Sequence, residues 1–126
     1  MRLFPEALSL AWLAVGYVGI AVLIELSFAD VSGLVPPWPD LDKLLHGVAY
    51  ASLMLWFGQL PRSTRAGYAL MLLALGAVLE RLQGLTPVRS ADLYDWFADA
   101  IGVVFALGLL AKGHSGYLER LRLRWR

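Results

Sequence analysis

Lys43, His46 and Tyr50 are separated by three and then four residues, and Asp92, Asp95 and Asp99 repeat that spacing. On a helix, such spacings put each set on one face. Glu80 and Gln83 make a further polar face, and Arg89 lies between it and the aspartates. Brought together, these residue types support two kinds of chemistry. His46, Glu80, Asp95 and Asp99 are a donor set for a divalent cation. They are equally an acid and base acting on a headgroup whose phosphate Lys43 or Arg89 would hold. The same residues also suffice for a purely structural network of ion pairs and hydrogen bonds. The chain has no cysteine, so disulfides, thiolate metal sites and cysteine nucleophiles are excluded. No serine, histidine and acid set and no phosphate-binding glycine loop points to a better-defined enzyme.

The elements that must position these residues follow from hydropathy. The 126 residues are 59% hydrophobic, with a mean hydropathy of +0.62, well above what the core of a soluble domain requires. Four apolar segments approach the roughly 20 helical residues that a bilayer needs: about 6–28, 41–60, 64–83 and 91–111. The prolines of "DVSGLVPPWPD" part the first two, "LPRST" makes a tight turn before the third, and "GLTPVRS" precedes the fourth. Asp40, Ser63 or Thr64, and Ser90 are the expected helix caps. The fold predicted is all-α: a single domain of four transmembrane helices in an antiparallel bundle, with a short basic tail over 112–126. "SFA" before Asp30 resembles a signal cleavage site, but the apolar stretch ahead of it exceeds the usual 7–15 or so residues. It is therefore expected to remain as the first span.

Charge fixes the orientation. In a four-span bundle both termini and the "PRSTR" turn share one side, with Arg2, Arg62, Arg65, Lys112, Arg120, Arg122, Arg124 and Arg126, against Lys43, Arg81 and Arg89 on the other. That bias places both termini in the cytoplasm. The acids divide the opposite way, with Glu25, Asp30, Asp40, Asp42, Glu80, Asp92, Asp95 and Asp99 at or near the outer face.

At that outer face the start of the second helix, the end of the third and the start of the fourth share one depth. Carboxylates about 6 Å apart repel by roughly 2–3 kcal/mol at an effective dielectric near 20, and an ionised side chain facing lipid costs about as much again. Such groups turn inward to cations, donors or protons, which predicts a polar pocket under the outer surface. Asp92, in the first helical turn, also has a simpler use beside the positive end of the helix dipole. Gly76 and Gly102 lie beneath the cluster on its own helix faces and would let the helices approach closely.

Three stretches carry a resemblance. "DKLLHGVAY", "LERLQ" and "RSADLYDWFADAIG" are similar, in order and spacing, to the signature blocks of the VanZ-like family, over about residues 42–102. The resemblance assigns Asp42, Lys43, His46 and Tyr50 to the first block, Glu80 and Gln83 to the second, and Arg89, Asp95, Asp99 and Gly102 to the third. Asp99 departs from the asparagine common in the family, and an extra acid favours a cation site. The resemblance implies a multi-pass protein of the bacterial inner membrane, in a family named for low-level teicoplanin resistance, with a broader role in the cell envelope. Its implied partners are membrane lipids and a lipid-linked or cell-wall precursor. A small transporter is the third class, and would need an oligomer to leave room for alternating access.

The tail "YLERLRLRWR" interleaves arginines with Leu121, Leu123 and Trp125. Beside an anionic leaflet each arginine contributes about 1 kcal/mol. Nucleic acid is not an expected partner for so short a basic segment next to a membrane.

Overall fold

The computed structural model describes residues 3–31, 33–87 and 90–124. All regular structure among them is helical: α1 (Leu3–Phe28), α2 (Leu41–Phe57), a 3-10 turn (Arg62–Thr64), α3 (Arg65–Gln83), α4 (Leu93–Ala111) and α5 (Tyr117–Arg124). Three stretches, Glu6–Phe28, Arg62–Gln83 and Leu93–Ala111, are long and apolar enough to cross a membrane. The expected second span ends early. α2 holds 17 residues, because Gly58, Gln59 and Leu60 turn off toward Pro61, which cannot continue a helix.

Successive long helices run in opposite directions. Trp12 of α1 meets Trp56 of α2 while Gly19 meets Leu53, and Gly76 of α3 meets Asp99 of α4 while Glu80 meets Asp92. Lys43 of α2 meets Asp92 and Asp95 at the start of α4 while Gly47 meets Gly102, so α2 and α4 are parallel, and theirs is the most extensive contact among the described elements. A core of Tyr50, Met54, Ala69, Leu72, Val103, Ala106 and Leu110 joins α2, α3 and α4. Inside lipid, apolar burial alone gives helices little reason to associate, and close backbone approach takes its place. Gly102 supplies that approach: a Cβ there would collide with the carbonyl of Gly47 and lie 3.1 Å from the amide nitrogen of Ala51. The packing assigned to Gly102 is thus against the backbone of α2.

A second cluster, Phe57, Leu60 and Leu118, packs against Leu8, Trp12, Leu13 and Ile20 of α1. Leu118 belongs to α5, so the basic tail docks on the bundle through one buried leucine. The Gln59 amide fixes the junction, donating to the His114 carbonyl at 3.0 Å and accepting from the Tyr117 amide at 2.9 Å. Arg120 and Arg124 remain exposed.

The caps differ from expectation. Asp40 stands at the start of α2 in the left-handed region (φ 60°), and its side chain makes no capping bond. In that conformation the carboxylate does not meet the first free amides, and the residue serves the turn after the prolines instead. Neither Ser63 nor Thr64 caps α3. The Thr64 hydroxyl donates to the Pro61 carbonyl at 2.7 Å, within the 3-10 turn. α4 begins two residues later than Ser90 would allow, and its cap is Asp92, which accepts from the Tyr94 amide at 2.9 Å.

Candidate functional site

The parallel contact of α2 and α4 aligns their polar faces rung by rung. Lys43 Nζ donates to Asp92 Oδ2 at 3.1 Å and to Asp95 Oδ1 at 3.2 Å. One turn further in, His46 Nδ1 and Asp99 Oδ1 are 2.9 Å apart. The next rung is Gly47 against Gly102, so the close approach of the helices sets the register of the ion pairs above it. Burial deepens along the row: the side chains of Asp92, Asp95 and Asp99 are 37%, 10% and 2% exposed. Asp92, ahead of the helix, is held below the usual carboxylate range, first by the hydrogen bond from Lys43 and then by the one from the Tyr94 amide.

The far nitrogen of His46 faces two more carboxylates. Nε2 lies 3.9 Å from Asp42 Oδ1 and 4.0 Å from Asp95 Oδ2, beyond hydrogen-bonding distance. The two oxygens of Asp95 are thereby divided, one for Lys43 and one toward the imidazole. Asp42 is four residues before His46 on the same face of α2. That spacing was the available sign of its proximity to the imidazole.

α3 closes the cluster from the side. Glu80 is buried and accepts the Asp92 amide at 2.6 Å through Oε1, so it braces the start of α4. Of the acids offered as cation ligands, Glu80 is engaged with backbone through Oε1, and Asp99 with Nδ1 of His46 through Oδ1. Gln83 is buried and donates to the Ser27 carbonyl at 2.7 Å, tying the end of α1 to α3. Gly76 faces Asp99, and a Cβ there would lie 2.8 Å from Asp99 Oδ2 and 3.3 Å from the Tyr50 hydroxyl. Arg89 lies outside the described residues.

Part of this cluster borders a cavity of about 810 Å³, which Lys43, Asp92 and Asp95 do not line. Its remaining walls are mostly apolar: Leu23 and Leu26 of α1, Val31 and residues 34–38 ahead of α2, Leu41 and Leu45 of α2, and Leu79 of α3. His46, Tyr50, Glu80, Gln83 and Asp99 line the polar end, and Asp30 and Asp42 also border the space. Tyr50 is 2% exposed, and its hydroxyl has no hydrogen-bond partner among the described residues. A buried hydroxyl without a partner is costly, and this one faces the cavity.

Sequence inspection gave no sign of the pairing at the opposite end of the bundle. Trp12 and Trp56 stack at 3.9 Å with an interplanar angle of 7°, and each indole N–H donates to the other residue's carbonyl at 2.9 Å. No family model, no curated protein and no solved structure matches the chain.

Proposed function

We propose that this chain is a VanZ-like, multi-pass protein of the bacterial inner membrane whose polar pocket opens at the outer face and holds the headgroup of a lipid-linked envelope precursor. The observation that carries this reading is the unpartnered Tyr50 hydroxyl beside Asp99 and Glu80, at the polar end of an otherwise apolar cavity. A cavity of this size and lining suits an amphiphile: the apolar walls take a hydrocarbon chain and the few convergent polar groups take its head. The resemblance over residues 42–102 supports an envelope role, of which low-level teicoplanin resistance is one expression. In this reading α2 is a fourth span, with residues 58–60 completing its passage, and both termini are cytoplasmic.

The occupant is tested by native mass spectrometry of the full chain isolated from bacterial membranes in mild detergent. Wild-type protein is expected to retain one class of lipid-linked precursor, and Tyr50→Phe, which keeps the ring and removes only the hydroxyl, to lose it. Retention of bulk phospholipids alone, equally by both proteins, overturns the reading.

Orientation is tested separately. Gly33 has no neighbour within 4 Å of an added Cβ, and Ser63 is exposed in its turn, so single cysteines at either place suit this cysteine-free chain. A membrane-impermeant thiol reagent added to intact cells is expected to label Gly33→Cys and not Ser63→Cys. The reverse pattern would invert the topology.

A further inference from the structure

The acids of the pocket conflict with a phosphate-bearing headgroup. Among the described residues, Asp42, Asp92, Asp95, Asp99 and Glu80 surround Lys43 and His46. An anionic group entering from the cavity meets negative charge on most sides, and Lys43 is already shared between two aspartates. A cation bound among these acids would relieve that conflict.

The donor geometry identifies where. Asp42, His46 and Asp95 each offer one ligand atom, all within 4.8 Å of one another. The imidazole is oriented for the purpose: Asp99, 1% exposed, takes Nδ1 at 2.9 Å, which leaves Nε2 directed at the two carboxylates. A buried carboxylate behind an imidazole is the usual support of a metal-bound histidine, because it fixes the tautomer and raises the basicity of the ligating nitrogen. An ion at about 2.0–2.2 Å from each donor would draw Nε2 and the oxygens together by about half an ångström. The Asp42 side chain, 56% exposed, opens the donor set to water.

We infer that Asp42, His46 Nε2 and Asp95 bind a divalent first-row cation whose open coordination positions face the cavity. Imidazole with carboxylates suits ions such as Zn²⁺ and Mn²⁺. The unpartnered Tyr50 hydroxyl lies in the same space and independently marks it as a place built for a ligand. The cation deepens the functional reading by naming the headgroup class: phosphate, bridged to the protein by the metal with Tyr50 beside it. Its binding is measurable without any amphiphile, so the two claims fail separately.

The test is calorimetric titration of Zn²⁺ into the full chain in detergent after chelator treatment. One saturable site per chain is expected. Asp99→Asn, which removes only the support of the imidazole, should weaken binding about 10–100-fold, and Asp42→Asn, which removes a ligand, should weaken it further. Asp42 is exposed, and its variant, shown by thermal melting to be folded, decides the question even where Asp99→Asn folds poorly. Asp30→Asn alters an acid on the same cavity outside the donor set, and should bind Zn²⁺ as the wild type does. Absence of a saturable site overturns the inference. So does Asp42→Asn binding at wild-type affinity, or Asp30→Asn weakening it equally.

Discussion

Gly102→Ala is expected to loosen α2 from α4 and disturb the polar row as a unit, and Gly102→Val to leave no stably folded protein in detergent. The site a Cβ would enter is filled by the Gly47 carbonyl and the Ala51 amide nitrogen. Backbone cannot rotate aside as a side chain does, so the helices themselves must separate. Overpacking of this kind costs about 1–3 kcal/mol for a single methyl group. The loss should exceed that of an ordinary core substitution because the Lys43 to Asp95 and His46 to Asp99 contacts depend on the same crossing. Gly67→Ala is the control, since nothing lies within 4 Å of a Cβ there. Thermal melting of the three variants in one detergent checks the expectation, and a Gly102→Ala melting temperature equal to that of Gly67→Ala would show that the crossing is not tight.

The second large effect is at Asp99. Its side chain is 2% exposed and, among the described residues, its hydrogen bond is to His46. Asp99→Ala strands the imidazole Nδ1 in the interior and opens a void beside Gly76. The expected cost is about 3 kcal/mol, where the penalties for a lost buried hydrogen bond and a broken buried ion pair overlap. Asp95→Ala should cost less, because relief of repulsion from Asp42 and Asp99 offsets part of the loss. Asp92→Asn should change melting least of all: its side chain is 37% exposed, and an asparagine oxygen still caps the Tyr94 amide. Chemical or thermal unfolding of the three variants orders them, and equal behaviour at 92, 95 and 99 would mean that the row is not graded in depth.

What the sequence disclosed, and what it concealed, divides along physical lines. The long helices are legible because lipid-facing apolar runs and intervening prolines are local signals, and their inner boundaries fall within a few residues of those drawn. The faces holding Lys43 and His46, and Asp95 and Asp99, are legible because helical spacing is fixed, although only tertiary packing pairs each with its partner. The caps were not legible. Whether Asp40, Thr64 or Ser90 reaches a free amide depends on a single backbone angle, and Asp40 adopts a positive φ that composition does not announce. That Glu80 braces the Asp92 amide was not legible either, because it depends on the unsatisfied donors at the start of α4 coming close to the end of α3. The Trp12 and Trp56 pair spans 44 positions, and no periodicity links residues so far apart.

That tryptophan pair makes α1 a lever. Its fulcrum is the stacked indoles with their two reciprocal hydrogen bonds. Its longer arm runs to Leu26, fourteen residues away, or about 21 Å at the helical rise. At the tip the arm is latched by the Gln83 bond to the Ser27 carbonyl, worth about 1 kcal/mol, besides apolar contacts that lipid tails replace at little cost. A tilt of about 10° about the fulcrum moves the tip by about 4 Å at that arm length, roughly the width of one hydrocarbon chain, and hardly moves the indoles. Leu23 and Leu26 are wall residues of the cavity, so a tilt of this arm changes the width of the space beside His46 and Tyr50.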